Sequence, residues 1–301
     1  MGSTSLASVS NKCTLLIIDA QNDFHSNGSL AVKGADEDAE KIAQFIRKSM
    51  EPGSSIELDR IVATLDSHHL LHIANPQFWV ASDNVTHPEP FTLITSEDVK
   101  NGTWSPRSDL RISTNLVDAN VMKDCSGVFQ SDGSLDLKKY CIEYTRRLEE
   151  SSRLTLCIWP PHCLIGSRGH NVVDVVRDAM DEWTSKTGRS VDYIMKGTNL
   201  LTEMYSALKA EVVISKDTDL NQDLLSLLKQ SDKIFVCGQA LSHCVNHTVR
   251  DLLANMKGSE NKVCLLSDCC SPVTSFEKDA QDFVRFLQEN GASVEKSNVI
   301  D

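Results

Sequence analysis

TLLIIDAQNDF, residues 14–24, decides the reading of the chain. A run of apolar and β-branched residues, the composition of a strand covered on both faces, ends abruptly on a carboxylate, Asp19. Four later runs end the same way: RIVATLDSHH (60–69) on Asp66 and His68, LTLCIWPPHC (154–163) on Trp159 and His162, DYIMKG (192–197) on Lys196, and KIFVCGQALSHC (233–244) just before Cys244. Such runs read as the buried strands of an open parallel sheet, where ligands bind beyond the carboxyl ends. An acid, a set of imidazoles, a lysine and a thiol are therefore expected on one rim.

Between these runs the apolar period changes to that of a helix. DEDAEKIAQFIRKSM (36–50) puts Ile42, Phe45 and Ile46 on one face, and after residue 153 strand and helix alternate: LTLCIW then VVDVVRDAMDEW, DYIMK then LLTEMYSALK, EVVIS then DLLSLLKQ, KIFVC then CVNHTVRDLLANM, VCLLS then SFEKDAQDFVRFLQEN. Alternation of this kind implies right-handed crossovers, hence a three-layer α/β/α fold with a mainly parallel central sheet. Residues 75–153 break the rhythm with turn-rich pieces (ASDN, HPEP, KNGTWSP, SDGS) before KKYCIEYTRRLEE returns to a helical period. The expectation is one domain over 1–301, with a loose tail at 1–12 and an insertion at 75–153 that serves as a lid or oligomer arm at the rim.

The formal charge of -12 would repel a phosphate backbone, and no lysine and arginine stripe overrides it, so nucleic acid is not an expected partner. No apolar run reaches the roughly 18 residues of a membrane span, and the N-terminus lacks the pattern of a secretory signal. Ten cysteines without a CxxC pair then read as reduced thiols in a cytoplasmic protein rather than as a disulfide framework or zinc knuckle.

Cys244 sits where a strand passes into a helix, with Ser242 placed to cap it, and a thiol in the first turn feels the positive end of the helix dipole. Any one cysteine among ten is more often a core residue, but this context separates Cys244 from Cys13, Cys141 and Cys264. Asp19 can accept a thiol proton and hand it to a leaving amine, and Lys196 can hold that carboxylate; singly each is equally a loop-capping acid or a solvated lysine. Asp66, His68 and His72 form D-x-H-x-x-x-H, and with His162 they make a donor set for zinc, iron or manganese that leaves positions open. Without an ion they would be polar loop residues.

IIDAQNDF with GSLAV, the DSH and HLLH region, WPPHC, MKGTN followed by YSAL, and VCGQALSHCV followed by LLSDCC together resemble the isochorismatase-like cysteine hydrolase superfamily, and within it nicotinamidases and pyrazinamidases. The resemblance covers about residues 13–75 and 154–275. It implies a catalytic triad of Asp19, Lys196 and Cys244, one divalent metal ion on Asp66, His68 and His162 with His72 a further ligand in some relatives, and a cis peptide between Gln239 and Ala240. It also implies an oxyanion hole from the N–H groups of Ala240 and Cys244, and a flat substrate ring between Phe24 and Trp159. The implied activity is hydrolysis of a small heteroaromatic carboxamide through a Cys thioester, in a homo-oligomer. Two alternatives are hydrolysis of another amide or ureido compound and a non-catalytic binding protein on the same fold. The QALSHC loop and the long insertion depart from nicotinamidases and leave the substrate open.

Overall fold

The sequence CTLLII contains no polar break except Thr14, and the strand it forms, β1 (Cys13–Ile18), is buried at every position. The computed structural model describes residues 12–122, 127–151 and 154–300, so all but Lys12 of the expected tail lies outside the described residues. After β1 come α1 (Ala35–Lys48), β2 (Leu58–Asp66), β3 (Trp79–Val80), β4 (Leu93–Ile94), α2 (Ser96–Asn101), β5 (Ser105–Pro106), α3 (Leu137–Ser151), β6 (Leu156–Cys157) and α4 (Asp174–Thr187). The chain then continues through β7 (Asp192–Lys196), α5 (Gln222–Lys229), β8 (Lys233–Gly238), α6 (Cys244–Asn255), β9 (Val263–Leu266), α7 (Glu277–Glu289) and β10 (Ser293–Glu295).

Six strands form one sheet in the order β10-β9-β8-β1-β2-β7, every neighbouring pair parallel. The chain moves from β1 through β2 to β7 in one direction and then restarts at β8 on the other side of β1. Strand order therefore reverses beside β1, where a doubly wound sheet opens its crevice. Register sets the level of the groups there, because Asp66 pairs with Lys196 across β2 and β7 and Ile18 pairs with Gly238 across β1 and β8.

Right-handed crossovers require α1 and α4 on one face and α6 and α7 on the other. The contacts agree: Arg47 of α1 forks onto Glu182 of α4 at 2.8 Å, and the Arg250 guanidinium of α6 lies 3.9 Å from the Phe286 ring centre of α7. Exposed pairs of this kind contribute little. The buried stripes of Ile42, Phe45 and Ile46, of Val176, Met180 and Trp183, and of Val245, Val249 and Leu252 against the sheet contribute most.

Three expected elements differ. LTLCIW does not join the main sheet: β6 pairs antiparallel with β4 of the inserted segment, which reaches the run before Pro160 and Pro161 end it. LLTEMYSALK is not a helix, because its backbone is claimed by distant partners. Leu200 O accepts from Ile73 N, Leu201 O from the Tyr140 hydroxyl at 2.6 Å, and Met204 O from Lys196 Nζ at 3.1 Å. EVVIS is not a strand either, although its alternation buries Val212 and Ile214. The N–H groups of Ile214 and Ser215 both donate to Thr218 Oγ1 at 3.0 Å, a side-chain turn in place of a ladder.

The inserted segment builds a second apolar cluster in which Phe78, Trp79, Tyr140, Tyr144 and Leu148 pack with Leu201, Val212, Ile214 and the rim residues Phe24 and Trp159. It thereby braces the loops beyond the sheet.

Gly238, at the end of β8, has φ +109, and a Cβ there would lie 1.9 Å from Ile18 O. Only glycine allows β8 to turn this close to β1. Gly238→Ala is expected to lower stability by more than about 3 kcal/mol, as strain at a special backbone position does; an unchanged urea midpoint would contradict this.

Candidate active site

β1 stops because Asp19 adopts φ 44, an uncommon conformation for a non-glycine residue, and this turns its carboxylate inward. Thr64 of β2 fixes it there: Thr64 Oγ1 donates to Asp19 Oδ1 at 2.6 Å and accepts from Asp19 N at 3.1 Å. Two residues on, the Gln21 amide clamps the end of β2, with Oε1 accepting from Asp66 N and Nε2 donating to Asp66 O, both at 2.8 Å. Gln21 in the DAQ motif thus fixes β2, a role the sequence pattern did not disclose.

Lys196, fully buried, is the centre of the arrangement. Its Nζ lies 3.0 Å from Asp19 Oδ2 and 2.9 Å from Asp66 Oδ1, donates to Met204 O at 3.1 Å, and reaches Cys244 Sγ at 3.5 Å. Burial opposes the ammonium, but Asp19 and Asp66 outweigh it and hold the lysine well above its ordinary value. Of the three residues expected to act together, Lys196 therefore contacts both Asp19 and Cys244.

One detail differs from expectation. The residue preceding α6 is His243, and its side chain does not cap the helix; Ser242 Oγ instead pairs with His243 Nδ1 and accepts from Val273 N. Burial pushes the Cys244 thiol well above its ordinary value and outweighs the pull of Lys196. Burial likewise raises Asp19, offset in part by Lys196. Thiol and carboxylate are thus both shifted by burial and share Lys196 as a neighbour.

Beside this lies the imidazole set. His68 N donates to Cys163 O and Ile165 N to His68 O, which splices the WPPHC loop to the end of β2 and delivers His162. His162 Nδ1 lies 2.8 Å from Pro160 O, a carbonyl that can only accept, so Nδ1 carries the proton and Nε2 the lone pair. That lone pair faces Asp66 Oδ2 at 3.2 Å, and His68 Nδ1 faces the same oxygen at 3.4 Å. Two acceptors turned toward each other repel unless a proton or cation lies between them. Both ring nitrogens of His68 are buried without a hydrogen-bond partner among the described residues. Asp66, His68 and His162 therefore fit a divalent cation, and Gly197 leaves them room, since a Cβ there would stand 3.2 Å from Asp66 Oδ1 and 3.3 Å from His68 Nε2.

His72 differs from His68. Its Nε2 pairs with Thr202 O at 3.1 Å and its Nδ1 accepts from Ala74 N, so both nitrogens are engaged by backbone. Burial, followed by His68, lowers it to about 4, which leaves it neutral at pH 7. His69 points outward and is exposed.

Phe24 and Trp159 line one small cavity with Asp66, His162, Ala240, His243 and Cys244. The Phe24 ring meets His162 edge-on, and the Trp159 indole N–H donates to the Tyr205 hydroxyl at 3.1 Å. The Gln239–Ala240 peptide is cis, and the N–H groups of Ala240 and Cys244 donate to no other described residue. Sequence reasoning missed Thr64, Gln21, Glu203, Tyr205 and His243 as residues of this environment.

No family model matches the sequence. A curated nicotinamidase of Saccharomyces cerevisiae is 24% identical over 236 residues, 78% of this chain and 78% of the relative. Among solved structures, the nicotinamidase and pyrazinamidase of Acinetobacter baumanii superposes with a TM-score of 0.59 at 19% identity, covering 96% of this chain and 97% of its own. The pyrazinamidase of Pyrococcus horikoshii in complex with zinc gives 0.51 at 21% identity, covering 95% and 99%. The chain is similar in sequence to a nicotinamidase and shares the α/β/α fold of these enzymes.

Replacing Lys196 with Met would leave Asp19 and Asp66 buried without their counter-ion, which costs roughly 3–5 kcal/mol. Urea unfolding should register that loss, and an unchanged midpoint would contradict the account. A second expectation concerns acid. Burial, then His247, lowers His243 to about 3, whereas an unfolded histidine titrates near 6.5. The unfolded chain binds the proton first, so this stability is fully present above about pH 6.5 and is lost as pH falls toward 3. Between pH 7 and 4.5 the thermal midpoint should fall less in His243→Gln than in the unaltered protein; equal falls would contradict the assignment.

Proposed function

We propose that this chain is a cysteine hydrolase of the isochorismatase-like superfamily, a metal-containing amidohydrolase of nicotinamidase type. It converts a small heteroaromatic carboxamide into the carboxylate and ammonia. The observation that carries this reading is Cys244, which lines a cavity with Phe24 and Trp159 while its Sγ lies 3.5 Å from Lys196 Nζ, itself 3.0 Å from Asp19 Oδ2.

A flat ring placed between Phe24 and Trp159 presents its carboxamide to Cys244. Asp19 takes the thiol proton as Sγ attacks the carbonyl carbon, so negative charge is never left isolated in the buried site. Lys196 stays charged throughout and stabilises first the sulfur anion and then the carboxylate set. The carbonyl oxygen becomes an oxyanion against the N–H groups of Ala240 and Cys244, whose donors are uncommitted. Collapse breaks the C–N bond, and the proton held on Asp19 passes to the departing amine, giving ammonia and a Cys244 thioester. A water deprotonated by Asp19 then adds to the thioester carbon, and cleavage of the C–S bond returns the carboxylate product and the thiol.

Asp66, His68 and His162 would hold a divalent ion, which would supply Lewis-acid chemistry; zinc suits this donor set, as do iron and manganese. Nine buried free cysteines among the described residues suit a reducing, cytoplasmic setting.

The test is ammonia release across nicotinamide, pyrazinamide and small ureides, with metal content measured on the same sample. Turnover of a heteroaromatic carboxamide is expected, and Cys244→Ala should lower it by roughly 10⁴-fold or more with fold and metal content kept. Amidase activity retained in Cys244→Ala would refute the nucleophile, and release from ureides alone would refute the substrate class.

A further inference from the structure

The two imidazoles that face Asp66 are held in different ways. Pro160 O fixes the tautomer of His162 from behind, leaving Nε2 as its donor atom. For His68 no backbone carbonyl among the described residues plays that part. Its Nδ1 is turned to Asp66, and the acceptor facing its Nε2 is Glu203 Oε1 at 3.5 Å.

Glu203 is an unusual residue to find there. It is buried, and its Oε2 has no hydrogen-bond partner among the described residues. His72 does not supply one: its Nδ1 stands 4.0 Å from Oε2 but already accepts from Ala74 N and so presents a lone pair. Thr202 and Met204 flank Glu203 in an irregular stretch, and its own backbone holds it in place. Glu203 N donates to the Tyr144 hydroxyl of α3 at 3.0 Å, and Oε1 accepts from Met204 N at 3.0 Å. The inserted helix therefore places a carboxylate behind His68.

We propose that Glu203 is a positioning residue that fixes the tautomer of His68, holding the proton on Nε2 so that Nδ1 is the donor atom offered beside Asp66 Oδ2 and His162 Nε2. This rests on the reading of Asp66, His68 and His162 as a cation site. A ligating histidine whose far nitrogen donates to a carboxylate gains both orientation and basicity, and loss of such a partner typically costs 10–100-fold in metal affinity, about the span expected here. Glu203 makes no bond to the ion in this account, and His72 contributes none because its nitrogens are engaged elsewhere.

The experiment is zinc affinity by competition with a chromophoric chelator for the full chain and for Glu203→Ala, Glu203→Gln and Asp66→Asn. On the zinc-loaded protein, ¹⁵N imidazole shifts identify which His68 nitrogen is protonated. Glu203→Ala should bind zinc about 10–100-fold more weakly. Glu203→Gln, which keeps an acceptor, should fall between it and the unaltered protein. His68 Nε2 should carry the proton in the unaltered protein. Zinc affinity equal in all Glu203 variants, or His68 bound through Nε2, would overturn the role of Glu203 while leaving the cation site intact. Failure of the unaltered protein to bind zinc more tightly than Asp66→Asn would overturn the cation site itself, and the inference with it. If Glu203→Ala does not fold, the ¹⁵N shifts of the unaltered protein and the Glu203→Gln affinity decide the question.

Discussion

A buried ammonium between two buried carboxylates organises this protein. Lys196 touches Asp19, Asp66, Met204 O and Cys244 from the end of an edge strand, and each of these comes from a different segment. Such a cluster is weak evidence for stability, since removing three charges from water opposes folding. Its value is positional. The enclosed ammonium brings both acids and the thiol to one point. The β2 and β7 register, which pairs Asp66 with Lys196, is what makes the enclosure possible.

The irregular stretch from Leu200 to Tyr205 is the second organising feature. Met204 O binds the lysine, Glu203 faces His68, and the Tyr205 hydroxyl receives the Trp159 indole N–H. Tyr140 and Tyr144, one helical turn apart on α3, hold the stretch from the other side. The inserted segment is thus continuous with the site through hydrogen bonds and through a shared apolar cluster that includes Phe24 and Trp159. Its contribution seen here is to fix loops that a sheet alone would leave free.

Most of the sheet was legible in the sequence because strands buried on both faces carry continuous apolar runs, and the chemistry at their ends was legible because each run stops on a polar residue. The readings that failed share one cause. Residues 200–209 have a helical apolar period and 211–215 a strand-like alternation, yet side chains bind the backbone first, the distant Tyr140 in the one and the nearby Thr218 in the other. LTLCIW has the composition of a strand and is one, but its partner β4 lies in a part of the chain with little period of its own. Glu203 escaped notice because a glutamate on an expected helix reads as a solvated residue. Only its burial against two histidines gives it meaning. The capping by Ser242 failed because the hydroxyl found His243 and Val273 instead.

The proposed chemistry draws on groups whose ordinary behaviour is altered by enclosure: a thiol and a carboxylate raised by burial, and a lysine held well above its ordinary value by two acids. In the proposed mechanism the Cys244 sulfur bonds covalently to the carbon it attacks. The most direct measurement is the intact mass of the protein acid-quenched during turnover of a heteroaromatic carboxamide, followed by peptide mapping. The account predicts an added acyl group, with the mass of the carboxamide less ammonia, on the peptide that contains Cys244. Steady turnover with no adduct under any quench, together with undiminished turnover in Cys244→Ala, would contradict it.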